Sequence, residues 1–237
     1  MQYTQLAKQF HKEGYLVIPD FFDLDLMDQM NQLILSHYGM DPEFYHQEEF
    51  LDKAQTEVIP WFPGDEGIEE FNVVEQDVRL NKLTTEILGE GWYSDYSMVM
   101  FSKQGTKGQA WHQDCNPENP SYFNMNRLVY TMDIDENTGG QTVIVPGSHR
   151  LGTLPASTPL EDLPGSIELE PCKGTLVILH GHCWHRVRPV HGRYRVSTNF
   201  RSAPGGTPRG ITDICVYQNM RYQFSTNSVV EDRLAHQ

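Results

Sequence analysis

The stretch Gln109-Ala110-Trp111-His112-Gln113-Asp114 holds a histidine and an aspartate separated by one residue. In an extended strand, side chains at i and i+2 point the same way. An imidazole and a carboxylate would then face one point in space, as a metal site requires. Iron(II) in oxygenases is commonly held by two histidines and one carboxylate on one face, with the remaining positions open. His112 and Asp114 supply two of those three ligands. A His-x-Asp triplet also arises by chance, so the reading needs a third ligand and an anchor for a cosubstrate.

Two further stretches offer them. In Gly174-Thr-Leu-Val-Ile-Leu-His180-Gly-His182-Cys-Trp-His185 a buried strand over 176–179 leads into three histidines, any of which could complete the set. In Arg193-Tyr194-Arg195-Val196-Ser197 the strand alternation puts Arg195 and Ser197 on one face. A buried arginine needs a partner, because an unpaired charge there is expensive. A dicarboxylate fits: the planar guanidinium grips a carboxylate through two hydrogen bonds, and Ser197 adds a hydroxyl donor. Other candidates read as structural. His149 lies in the tight turn Pro146-Gly147-Ser148-His149 and is expected to prop it. Cys115 follows Asp114 on the opposite strand face and reads as a small buried hydrophobe.

Positioning these groups takes rigid elements. The first part of the chain is helical. Residues 4–13 form an amphipathic helix ended by Gly14, and 15–18 a buried strand stopped by Pro19. A second helix starts at an Asp23 or Asp25 cap and runs to about Tyr38, and a third spans 77–88 before Gly89. Between them, 41–71 carries ten acidic residues against a lone Lys53, with Pro and Gly throughout. Such a loop is either solvated or a lid, and a lid would turn Trp61 toward substrate. After Gly91 the texture changes to short apolar runs at 93–102, 126–134, 141–145, 165–169, 175–179, 185–190 and 194–201. Short strands at this spacing, separated by turn residues, indicate a sandwich or barrel. The expected fold is mainly β, a double-stranded β-helix (jelly roll) with N-terminal helices packed outside.

The 237 residues, 38% of them hydrophobic, suffice for one domain with a real core. Its expected parts are a helical region 1–91 with the 41–71 lid, a core 92–202 and an extension 203–237. A net charge of −14 disfavours a phosphate backbone or an anionic membrane as partner and favours solubility. The start lacks a basic and apolar leader, no apolar run reaches spanning length, and the four cysteines form no Cys-x-x-Cys pair. These features point to reduced thiols and a cytoplasmic location.

Together the motifs resemble the phytanoyl-CoA dioxygenase family of iron(II)/2-oxoglutarate-dependent oxygenases, over roughly residues 92–202. Three stretches carry the resemblance: Trp111-His112-Gln113-Asp114; Asp133 through Asn137-Thr-Gly-Gly140 to Pro146-Gly-Ser-His149; and Gly174 through Arg195, with a histidine, ten residues, then Arg-x-Ser. The resemblance selects His185 over His180 and His182 as third ligand. It implies iron(II) on His112, Asp114 and His185, and 2-oxoglutarate held by Arg195 and Ser197, with Gln113 and Tyr130 lining its pocket. O2 is then the remaining cosubstrate, and succinate and CO2 are coproducts. Related halogenases carry a small residue where this chain has Asp114, so the carboxylate implies hydroxylation, or else desaturation or ring formation, and not halogenation. Arg127, Asn199 and Arg201 are candidates to bind a substrate carboxylate. The competing readings are a cupin-type oxygenase that does not use 2-oxoglutarate and a non-catalytic jelly-roll binding module.

Overall fold

The computed structural model describes residues 2–39, 41–43, 57–158 and 160–208, with the backbone of three further strands at 214–217, 221–225 and 228–232. Helix α1 (Tyr3–Glu13) ends where Gly14 turns left-handed, and β1 (Tyr15–Ile18) follows at once. Helix α2 (Leu24–Tyr38) is capped by the Asp23 carboxylate, which accepts from the backbone of Asp25 and Leu26. Asp77 caps α4 (Val78–Leu88) in the same way.

The 57–71 part of the expected loop is ordered structure. It holds β2 (Ile59–Trp61), a 3-10 turn at Pro63–Glu66, and the start of α3 (Glu69–Glu75). A three-residue strand with Pro60 at its centre gives no alternating signal. Proline is tolerated there because β2 is the edge strand of its sheet, where one side needs no donor. The rest of the expected lid, residues 44–56, lies outside the described residues.

Further strands follow among the described residues: β3 (Tyr93–Lys103), β4 (Gln109–Gln113), β5 (Met125–Val129), β6 (Thr142–Ile144), β7 (Ile167–Leu169), β8 (Leu176–His180), β9 (His185–Val187), β10 (Tyr194–Ala203), β11 (Ile214–Tyr217) and β12 (Arg221–Ser225). The last strand is β13 (Ser228–Asp232). They form two antiparallel sheets, a six-stranded one ordered β1-β8-β5-β10-β3-β2 and a seven-stranded one ordered β13-β12-β11-β4-β9-β6-β7. From β3 to β10 the chain steps back and forth between them, so each sheet is built from strands distant in sequence. The 203–237 extension adds β11, β12 and β13 beside β4, the strand carrying His112.

Three apolar layers follow from strand alternation. Leu128, Tyr130, Ile144, Val177 and Leu179 pack between the sheets. On the outer face of the six-stranded sheet, Val99, Phe101, Met125, Val129 and Ile178 meet Phe10, Met30 and Leu83 of the helices. Trp111, Val143 and Leu154 form a small cluster on the outer face of the other sheet. No described helix is long and apolar enough to cross a membrane.

Buried neutral histidines set the acid limit of this fold. His180 stacks on Phe123 at 4.1 Å and lies against Phe10. Burial holds His180 well below its usual pKa and pulls His182 down to about 4. An unfolded chain takes up these protons below about pH 6.5, whereas the folded one does not. Stability is therefore intact above pH 6.5 and falls as pH drops toward 4. His182 alone accounts for about 3 kcal/mol at about 1.4 kcal/mol per pH unit. Urea unfolding at pH 7.5 and pH 5 is expected to show about 2 kcal/mol of this loss from His182, and His182→Gln to shrink the difference.

Candidate metal centre

His112 on β4 and His185 on β9 are direct cross-strand partners, so the sheet register alone sets their rings side by side, 4.1 Å between centroids. Asp114 lies just past β4, where its backbone N–H bonds the Gly181 carbonyl at 2.7 Å. Its carboxylate then sits 3.7 Å from His112 Nε2 through Oδ1 and 3.3 Å from His185 Nε2 through Oδ2. These three buried side chains are the one group among the described residues whose ligand atoms could hold a metal, all within 4.8 Å of one another.

The imidazole tautomers fit that role. His112 Nδ1 lies 2.8 Å from the Ala110 carbonyl, and His185 Nδ1 lies 2.9 Å from the Cys183 carbonyl. A carbonyl only accepts, so each Nδ1 must carry the hydrogen. In the neutral ring Nε2 then carries the lone pair that a metal-ligating histidine uses. Burial, then the neighbouring His185, pulls the His112 pKa down to about 3, so the ring stays neutral. Burial pushes the Asp114 carboxyl upward, but His185 and Arg201 outweigh it and hold the group well below the usual carboxylate range. Adjacent corners of an octahedron with bonds of about 2.1 Å lie roughly 3 Å apart. The donor set, its spacing and its protonation all fit a divalent metal such as iron(II).

Arg195 and Ser197 face the space between the sheets. Four arginines, Arg127, Arg186, Arg195 and Arg201, are among the largest fully buried side chains. Arg127 pairs with Glu75, Arg186 with Asp162 and Arg201 with Asp114. Among the described residues no carboxylate pairs with Arg195. Its Nε donates to the Gly140 carbonyl at 3.1 Å and its Nη1 to Ser197 Oγ at 2.7 Å. Tyr130 lies alongside, its ring centre 5.9 Å from the guanidinium carbon and its hydroxyl 3.4 Å from Thr142 Oγ1. A buried cation with no carboxylate beside it among the described residues, but aimed by three neighbours, could hold an anionic ligand.

Gly140 explains the Asn-Thr-Gly-Gly stretch. Its φ is +70°, and a Cβ there would stand 2.7 Å from Arg195 Cγ. Gly140→Ala is therefore expected to push the arginine stem out of place and weaken 2-oxoglutarate binding by about tenfold or more, a loss of at least about 1.4 kcal/mol. Titration of 2-oxoglutarate into the metal-loaded protein measures it.

Other expected site residues fall elsewhere. Gln113 points to the face opposite His112 and Asp114, as the same alternation requires. Its amide binds the Gly152 and His182 carbonyls and the Leu154 N–H, pinning the loop over Trp111. Arg127 is on the outer face of β5, with Nη2 on Glu75 at 2.8 Å and Nε on the Phe200 carbonyl. Trp61 is core: its ring stacks on His37 at 4.0 Å and its Nε1 donates to Glu66. Arg201 does face the site, but its partner is Asp114, and Asn199 donates to Asn126. Asn126 has no counterpart in the motifs; its Nδ2 lies 2.6 Å from Asp114 Oδ2. His149 bonds the His11 carbonyl through Nε2 and props the turn, as expected. Burial pushes the thiols of Cys115 and Cys183 up to about 12, which keeps both unreactive.

The phytanoyl-CoA dioxygenase (PhyH) family profile matches residues 10–194 of the chain. No curated protein sequence matches it. Among solved structures, the non-heme α-ketoglutarate-dependent epimerase SnoN of nogalamycin biosynthesis superposes with a TM-score of 0.67 at 14% identity, covering 94% of this chain and 86% of its own. HygX from Streptomyces hygroscopicus, with nickel and 2-oxoglutarate bound, gives 0.66 at 16% identity over 86% and 87%. EvdO2 from Micromonospora carbonacea var. aurantiaca gives 0.68 at 14% identity over 84% and 89%. At such identities the likeness is one of fold.

Proposed function

The chain belongs to the phytanoyl-CoA dioxygenase (PhyH) family, and from that premise we propose that it is an Fe(II)/2-oxoglutarate-dependent oxygenase hydroxylating an unactivated C–H bond of a small molecule. The two sheets are then the halves of a double-stranded β-helix. The observation that carries the reading is the pairing of two unmet demands across one interior. Two imidazoles and a carboxylate converge at one end, and the buried Arg195 has no carboxylate partner among the described residues at the other.

His112 Nε2, His185 Nε2 and an Asp114 oxygen would hold iron(II). Arg195 and Ser197 would take the distal carboxylate of 2-oxoglutarate, with Tyr130 beside them. When bound, iron, 2-oxoglutarate and O2 together supply an oxidant able to remove a hydrogen atom from an unactivated carbon, leaving succinate and CO2. The protein's own part is to orient that C–H bond and to keep water from the centre. SnoN, HygX and EvdO2 support the cosubstrate, because HygX is known with 2-oxoglutarate and SnoN with Fe3+ and α-ketoglutarate. The bound ligands hygromycin B and nogalamycin RO in two of them favour a natural-product-like substrate. The net charge of −14 favours one that is neutral or bears an amine.

The test is anaerobic addition of Fe(II) and 2-oxoglutarate. A visible charge-transfer band is expected in the native protein, and O2 then yields succinate. Metal binding with no band and no succinate would instead support a cupin-type oxygenase that does not use 2-oxoglutarate. Binding of neither would leave a non-catalytic module. With substrate, a product one oxygen heavier marks hydroxylation, and one of unchanged mass marks epimerisation.

A further inference from the structure

We propose that Asn126 is the positioning residue for the metal carboxylate, and that Asn199 and Arg201 serve to aim its amide. The inference rests on the metal site read above and extends to residues outside its ligand set.

A carboxylate beyond the end of a strand can rotate about its last bond, and either oxygen can then face a metal. Asp114 is restrained by a second set of contacts. Asn126 Nδ2 lies 2.6 Å from its Oδ2, and Arg201 Nη2 lies 3.3 Å from its Oδ1. The Asn126 amide can be assigned from chemistry. Its Oδ1 receives Asn199 Nδ2 at 2.7 Å and Arg201 Nε at 3.0 Å. A guanidinium only donates, so the amide oxygen must face Arg201 and the NH2 must face Asp114. A flipped amide would set its NH2 against the Arg201 donor and its oxygen against a carboxylate.

The sheet builds this arrangement directly. Arg201 on β10 and Asn126 on β5 are cross-strand partners. Asn126, Asn199 and Arg201 are each no more than 2% exposed, so water does not compete for them. In the run Arg195-x-Ser197-x-Asn199-x-Arg201 one strand face thus does two jobs. Its first two polar residues face the anion site, and its last two hold the metal carboxylate through Asn126. Arg201 uses both arms of its fork, Nε on Asn126 and Nη2 on Asp114, which a lysine cannot reproduce.

The probe is Mn(II), titrated without 2-oxoglutarate and followed by the resonance of the free ion. Asn126→Ala is expected to weaken binding 10- to 100-fold, roughly the size of outer-shell effects on metal sites. Arg201→Lys keeps the charge and loses the fork, and is expected to weaken binding by about tenfold; Asn199→Ala should act in the same direction, less strongly. At saturating Fe(II) and 2-oxoglutarate the charge-transfer band should move in position in these variants. A merely structural lesion would lower its height and leave its position alone. Native-like affinity in both Asn126→Ala and Arg201→Lys, or an unmoved band, overturns the proposal. If Asn126→Ala does not fold, Arg201→Lys and Asn199→Ala decide it by the same two measurements. Failure of the native protein to bind Mn(II) would strike at the metal site itself, a separate result.

Discussion

Asp114→Ala is expected to lose the metal. Asp114 is the only anionic donor of the group, and its carboxylate stands within 3.7 Å of both histidine Nε2 atoms. Loss of an outer-shell partner typically costs a metal site 10- to 100-fold in affinity, so loss of a charged ligand should exceed about 100-fold. The two imidazoles that remain are ordinary donors held in place by their own carbonyl bonds. The charge-transfer band should vanish under conditions that saturate the native protein, and succinate formation with it. Asp114→Asn is the sharper variant, because it keeps the shape and can still accept from Asn126 while removing the charge. Retention of the band in Asp114→Asn would mean that the carboxylate does not bind the metal.

Arg195→Ala is expected to leave metal binding intact and to remove the grip on 2-oxoglutarate. Truncating one side of a buried, hydrogen-bonded charge pair costs about 2–5 kcal/mol. The apparent affinity for 2-oxoglutarate should therefore fall by at least about 30-fold, each 1.4 kcal/mol being a factor of ten. The loss should appear chiefly in KM, since the anchor would hold the cosubstrate's distal carboxylate and not the reacting bond. A second consequence has the opposite sign. Without its ligand, Arg195 is a buried cation with no carboxylate partner among the described residues. An unpaired buried charge costs free energy, so an apolar side chain of similar length in its place removes that cost. Arg195→Met should therefore melt no lower than the native protein when 2-oxoglutarate is absent, and lose the extra stability that 2-oxoglutarate confers. An Arg195→Met protein that melts several degrees lower would show that the guanidinium is paired inside the fold and does not await a ligand.

The helices were legible because their ends are chemical. Asp23 and Asp77 cap, and Gly14 turns left-handed where the first helix stops. The strands at 93–103 and 194–203 were legible because they are long enough to show their alternation. What escaped was short or proline-bearing, such as Ile59-Pro60-Trp61, where the sheet edge and not the local pattern makes the strand.

At the site, the sequence by itself determined which residue types could bind. His112 and Asp114 share a strand face through period-two geometry, and Arg195 shares one with Ser197. Local geometry reaches only the next few residues, and it could not choose among His180, His182 and His185. The family resemblance chose His185, and the cross-strand register supplies the physical reason, because of the three only His185 pairs with His112. Tertiary structure also decided what each buried arginine does. Arg127, Arg195 and Arg201 look alike in the chain, and each is defined by whether a carboxylate from a distant segment reaches it. Glu75 reaches Arg127 from a helix and Asp114 reaches Arg201 from the neighbouring sheet. A charge buried in low dielectric takes its role from the partner that folding brings to it. Among the described residues no carboxylate reaches Arg195, and the proposed function gives it 2-oxoglutarate as its partner.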